Sequence, residues 1–174
     1  MLRLGGAKKN VAAGQAGSRS PAEIRLQQEF DRLDLPKECR FSFPNPDDMM
    51  HFNVFITPSR GYWADCSYMF SFEIPIGYPF STPKVKCQTK IWHPNIDLQG
   101  NICLNILRDA WTPVLSFDAI IFGLILLMDD PNPQDPLNHD AAAMLRNDPN
   151  EFKMVVKSTL RGRSHADEEF PRLI

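Results

Sequence analysis

Between residues 39 and 87 the chain alternates apolar and polar side chains in four short runs: Cys39 to Phe43, then Phe52, Val54 and Ile56, then Tyr68, Phe70, Phe72 and Ile74, then Val85 and Cys87. A period of two places one set of side chains on one face of a strand, so each run has a face to bury and a face to wet. Breakers such as Pro44-Asn45-Pro46-Asp47 separate the runs, which predicts a four-stranded antiparallel meander. Helical patterns flank it. Ser20-Pro21-Ala22-Glu23 supplies an N-cap hydroxyl, a Pro at the first helical position and a Glu that bonds back; Leu26, Phe30 and Leu33 follow at helical spacing, predicting a helix that ends before Pro36. Ser116 is placed to cap a helix carrying Phe117, Ile120, Ile121, Leu124 and Met128, apolar on nearly all sides, expected to be buried and to stop at Pro131. A short helix around Asp140 to Leu145 and a last one opened by Asp148-Pro149-Asn150-Glu151, read as a second capping box, complete an α+β order of helix, sheet, helices. No internal repeat is visible.

The 174 residues are 43% hydrophobic and include 12 Phe, enough to bury the core of one domain. The most apolar run, Ala119 to Met128, is half the ~20 residues a bilayer span requires. Cys39, Cys66, Cys87 and Cys103 follow no C-x-x-C spacing, and no leader-like apolar run precedes them. The expectation is a soluble cytoplasmic and nuclear monomer with reduced thiols, binding neither nucleic acid nor membrane. Charge is uneven: residues 1–20 hold Arg3, Lys8, Lys9 and Arg19 with no acid, +4, so a net charge of −2 leaves −6 for residues 21–174. From Gly5 to Ser20 the composition is that of a flexible tether. Ahead of it, Met1 to Leu4 with Leu2 and Leu4 reads as a short apolar anchor, the alternative being an ordinary frayed terminus.

The stretch Ile91 to Pro113 has neither period and is too long for a hairpin loop, and long irregular segments inside compact domains are usually functional. It holds His93-Pro94-Asn95, Gly100 and the run Cys103-Leu104-Asn105-Ile106-Leu107. A Cys and a His in one segment suggest a Cys/His hydrolase, a zinc site with Cys87, or acyl carriage, in which a thiolate accepts a carbonyl from one thioester and surrenders it to an amine. A buried inert Cys beside a capping His is the structural alternative.

These residues do not stand alone. His93-Pro94-Asn95, the Cys103 to Leu107 run, Trp111-Thr112-Pro113, Tyr78-Pro79-Phe80-Ser81-Thr82-Pro83-Lys84-Val85 and Asp130-Pro131-Asn132-Pro133-Gln134-Asp135-Pro136-Leu137, in this order, resemble the ubiquitin-conjugating enzyme family over roughly residues 20–161. Within it the chain is most similar to enzymes for the Nedd-type (Rub) modifier, the Ubc-twelve class, by its Met1-Leu2-Arg3-Leu4 arm, by His93 to Leu98, by Asn105 where ubiquitin enzymes commonly have Asp, and by Asn132 to Asn138 with Ala141-Ala142. The resemblance divides the chain into a docking arm (1–19), a catalytic core of the UBC-like fold (20–161) and a C-terminal tail (162–174).

The resemblance implies that Cys103 carries the modifier as a thioester, that the Asn95 amide meets the oxyanion formed when a substrate lysine attacks, holds its loop together, or does both, and that Asp135 orients the amine or takes its proton. It gives His93, Pro94 and Asn105 structural support of the site, and with Asn105 in place of an Asp it leaves Asp135 to act largely alone. It implies docking of a heterodimeric activating enzyme through Met1, Leu2, Leu4 and Arg25, and of a ring-type ligase through Phe80, Pro113 and Val114. Phe80 departs from the polar residue that Nedd-type members typically carry. An acetylated Met1 would be taken by a co-ligase, and the lysine would lie on a cullin-like substrate. Thiolate-to-thiolate transfer nearly conserves thioester energy, so no cofactor or metal is expected; ATP is spent by the activating enzyme upstream. Carriage of ubiquitin itself, or a binding module without catalysis, are the rival functions; the presence of Cys103 argues against the module.

Overall fold

The computed structural model describes residues 19–174, so the expected anchor at Met1, Leu2 and Leu4 lies outside the described residues. Helix α1 (Pro21–Arg32) starts as its sequence dictates: the Ser20 hydroxyl accepts from the Glu23 amide at 3.2 Å, and the Glu23 carboxylate accepts from the Ser20 amide at 2.7 Å. The four strands β1 (Cys39–Ser42), β2 (His51–Ile56), β3 (Tyr68–Glu73) and β4 (Lys84–Cys87) form one antiparallel sheet in sequential order, the expected meander. Register pairs Phe52 with Phe72, Val54 with Phe70 and Ile56 with Tyr68. All six are buried, so the alternating set read from the sequence shares one face. Phe30 of α1 lies over that face, 5.3 Å from Phe52 between ring centroids.

A single turn of 3₁₀ helix (Asn105–Leu107) precedes α2 (Phe117–Asp129), and α3 (His139–Asn147) and α4 (Pro149–Leu160) close the chain. Three local expectations are corrected. The Ser116 hydroxyl does not cap α2; it donates to Asp118. A carboxylate from a distant element takes over, because Glu29 of α1 accepts the Phe117 amide at 3.2 Å and so sets a negative charge at the positive end of α2. The other oxygen of Glu29 binds Arg25 at 2.5 Å, and Tyr78 donates its hydroxyl to the same group, which locks α1, α2 and the loop after β3 together. Nor is α2 buried all round, since Phe122 and Leu126 stand 43% and 63% exposed. At the start of α4 the Asp148 carboxylate accepts from Asn150 and Glu151, without the returning bond that would make a capping box.

Residues 162–174, set apart in the sequence as a tail, fold back on the body. Phe170 is buried, the amides of Leu173 and Ile174 both donate to the Leu160 carbonyl, and Glu168 pairs with Lys90. Among the described residues no helix is long and apolar enough to cross a membrane.

Candidate active site

The irregular segment owes its shape to a tight turn. Asp97 accepts from the amides of Gln99 and Asn101 and from the Asn101 side chain, and Gly100 sits at φ +81° against β4. A Cβ at Gly100 would fall 2.0 Å from the Cys87 carbonyl oxygen, so only glycine permits this approach. The turn returns the chain alongside itself, and the Cys103 amide donates to the Asn95 carbonyl at 2.8 Å. The nucleophile candidate is thereby fixed against the His93-Pro94-Asn95 turn.

His93 is fully buried and stacks on Trp63, with centroids 4.2 Å apart. Its Nδ1 accepts the Asn95 amide at 2.9 Å, which leaves Nε2 to donate to the Leu127 carbonyl at 3.0 Å. Burial holds its pKa down at about 3, so the ring is neutral, with both nitrogens spent on backbone. In this geometry both ring nitrogens hold the turn and α2 together, which leaves neither of them open to act as a general base or to ligate zinc. The Cys87 thiol, the remaining partner in the zinc reading, donates to the Thr89 carbonyl.

Asn95 is 1% exposed. Its Nδ2 donates to the carbonyls of Asn132 (2.7 Å) and Asp135 (3.0 Å), and its Oδ1 accepts the Asn132 amide at 2.8 Å. Both amide hydrogens are thus committed to the loop between α2 and α3. The Pro94 carbonyl accepts the amides of Leu137 and Asn138, and Arg146 of α3 reaches the Pro133 carbonyl at 2.5 Å. Pinned at both ends, this loop delivers the Asp135 carboxylate to Cys103, whose thiol donates to Oδ2 at 3.1 Å. Sequence reasoning named Asn95, Cys103 and Asp135, and the structure brings them together. It missed Arg146, which carries no local signal, and Arg108, which follows the 3₁₀ turn as a cation five residues after the Cys.

Burial raises the Cys103 thiol above its ordinary value, the Asp135 bond raises it further, and the positive charge of Arg108 pulls the other way. At rest Cys103 is a protonated thiol hydrogen-bonded to a carboxylate. Asn105 is exposed and brings no second acid to the site.

The sequence pattern of the family described as ubiquitin-conjugating enzyme matches residues 25–160. The chain belongs to the ubiquitin-conjugating enzyme family. It is 46% identical over 169 residues to the Arabidopsis thaliana NEDD8-conjugating enzyme Ubc12, covering 95% of this chain and 92% of that protein. It is 42% identical to the Drosophila melanogaster Nedd8-conjugating enzyme UbcE2M, with 93% and 92% covered. The solved structure of Saccharomyces cerevisiae Ubc12 superposes with a TM-score of 0.85 at 40% identity, covering 90% of this chain and 88% of that one. The α+β order expected of this conjugating enzyme, helix, meander and helices, is the order observed.

In this ubiquitin-conjugating enzyme Phe80 is 83% exposed and Val114 87% exposed, with Pro113 exposed beside it. Their two loops are joined from behind. Trp111 is half-buried, donates its indole N–H to the Pro79 carbonyl at 2.7 Å and lies 5.8 Å from the Tyr78 ring. Arg25 is engaged in the same support: besides Glu29 it donates to the Leu115 carbonyl at 3.1 Å. On the other flank of the site, Gly123 of α2 lets Leu104 approach, since a Cβ there would stand 3.0 Å from a Leu104 methyl. Phe122 and Leu126 are exposed on the same helix.

Proposed function

We propose that this conjugating enzyme takes a NEDD8-type modifier from its activating enzyme as a thioester on Cys103 and passes it to a lysine amine. The observation that carries this reading is the Cys103 thiol held on the Asp135 carboxylate by a loop that Asn95 pins.

In charging, the Cys103 sulfur attacks the carbonyl joining modifier and activating enzyme; a new C–S bond forms, the upstream thiolate leaves, and the thiol proton departs through the carboxylate that already accepts it. A thioester has no S–H to donate. Asp135 therefore loses its partner on charging and becomes an empty acceptor beside the reactive carbonyl. The lysine needs such a group, because an unperturbed pKa near ~10.4 leaves about one molecule in two thousand neutral near pH 7. A carboxylate alone would raise that pKa, so Asp135 serves by orienting the amine and accepting its proton, while desolvation in the site lowers the pKa. Asn95 acts first as the positioning residue of this loop. The oxyanion role read from the sequence requires one of its two N–H bonds to open in the transition state. No cofactor enters these steps.

Phe80, Pro113 and Val114 form a small apolar platform suited to a ring-type ligase, with Arg25 and Trp111 bracing it. Phe122 and Leu126 offer the tethered modifier an apolar surface next to the Cys103 segment. The NEDD8-conjugating relatives, matched over most of their length, support the choice of modifier; a co-ligase and a cullin-like substrate complete the proposed route. The test is parallel charging with NEDD8 and its activating enzyme and with ubiquitin and its own. Faster thioester formation with NEDD8 at equal enzyme is expected, and a preference for ubiquitin would overturn the assignment.

A further inference from the structure

Along the exposed side of α4, Glu151, Met154, Val155 and Ser158 recur at helical spacing and, with Arg163 and His165 of the folded-back tail as the opposite wall, line an open groove of about 500 Å³. None of its lining belongs to the Cys103 site or to the Phe80 platform. Three cations line it, Lys157, Arg161 and Arg163, against the single carboxylate of Glu151. Cations at a helix C-terminus ordinarily answer its unpaired carbonyls, but the last three of these are already answered by backbone amides. Ser158 accepts the amides of Arg161 and Arg163, Thr159 that of Gly162, and Leu160 those of Leu173 and Ile174. Nor does Lys157, Arg161 or Arg163 form an ion pair with another described residue. Met154, 66% exposed, adds an apolar side chain to the same trough.

We infer that the α4 groove docks an acidic peptide segment of a protein partner, one with carboxylates for the Lys157, Arg161 and Arg163 end and an aliphatic side chain for Met154 and Val155. Charge complementarity selects a peptide over a polynucleotide. Residues 21–174 carry −6, so a long polyanion meets a repelling body around one positive pole, whereas a short acidic segment fits within the pole. A polynucleotide also leaves Met154 without an apolar partner. Contact here, on a face separate from the thioester site, would add to weak contacts made elsewhere through effective concentration.

The test uses the whole chain, isotopically labelled, titrated with a synthetic dodecapeptide of Asp and Glu carrying two Leu. The same peptide with Asp and Glu replaced by Asn and Gln, and a single-stranded DNA of equal charge, serve as comparison arms. The acidic peptide should shift the amide signals of Met154, Ser158, Arg161, Arg163 and His165. Arg161→Glu with Arg163→Glu should weaken binding by about tenfold or more while thioester charging and thermal melting stay as in the parent. Met154→Ser should weaken it by a smaller factor. The inference is overturned if the shifts fall outside the groove, if the neutral peptide or the DNA binds as well, or if charge reversal leaves the affinity unchanged.

Discussion

Asn95→Ala separates the two roles that an amide beside Cys103 can have. The side chain makes three hydrogen bonds to the loop between α2 and α3, all from a site 1% exposed. At about 1 kcal/mol net each, their removal costs the closed loop about 3 kcal/mol. In a local-opening equilibrium that is a factor of about 150, read as faster hydrogen exchange at the Asn132 amide, which donates to Asn95 Oδ1. If the loop opened only with the whole domain, the same loss would lower Tm by about 6–12 °C; local opening keeps the drop smaller. Charging by the activating enzyme should persist, while single-turnover discharge to free lysine slows, because Asp135 is no longer presented to the incoming amine. Asn95→Asp sharpens the test by placing a carboxylate oxygen opposite the carbonyls of Asn132 and Asp135, so at neutral pH the loop should open at least as readily as in Asn95→Ala. Unchanged protection at Asn132 in both variants, with discharge slowed, would refute the positioning argument and leave a donor acting on the oxyanion alone.

Asp135→Asn removes an acceptor and a negative charge that hold the Cys103 thiol up, so at a fixed pH below the thiol pKa iodoacetamide alkylation of Cys103 should speed up while lysine discharge slows; Arg108→Ala should shift alkylation the other way. His93 is held at about 3 in the fold against an ordinary value near ~6.5, so the unfolded chain takes up its proton first. Stability from this group is complete above that ordinary value and is lost as pH falls toward the folded value; urea midpoints from pH 7 to pH 4 should decline less steeply for His93→Gln than for the parent. Phe80→Ala with Val114→Ala should slow ligase-stimulated discharge and spare unassisted discharge, since both side chains are exposed and outside the core. Deleting residues 1–18 should raise the KM for charging with little change in Tm, as measured by initial rates over a range of enzyme concentrations.

The sheet was legible because its signal is local. Phe52, Val54 and Ile56 alternate within one strand, and so do their partners Phe72, Phe70 and Tyr68, so pattern alone fixes which face is buried. The Ser20 capping box was legible for the same reason, being complete within four residues. The cap of α2 was not, because the group that meets the Phe117 amide is Glu29, 88 positions away, and Ser116 looked sufficient by itself. The exposure of Phe122 and Leu126 escaped likewise, since hydrophobicity says what burial would favour and not whether a neighbour is there to provide it. Of the site, residue types and order pointed to Cys103, Asn95 and Asp135 through a resemblance. The closure of the Asn95 amide on two backbone carbonyls, and the position of Arg146, follow from long-range folding that no spacing encodes, whereas Arg108 ends the 3₁₀ turn that follows the Cys and is placed locally.

Whether the Cys103 sulfur is the carrying atom is decided by intact-mass measurement of the protein after incubation with ATP, NEDD8 and its activating enzyme. The parent should gain the mass of one modifier less one water, lost on addition of a thiol. Cys103→Ser should gain the same mass through an oxygen ester that resists thiol, and Cys103→Ala should gain none, with Cys39→Ala, Cys66→Ala and Cys87→Ala charging as the parent does. A thiol-labile adduct of full occupancy on the Cys103→Ala protein would contradict the account.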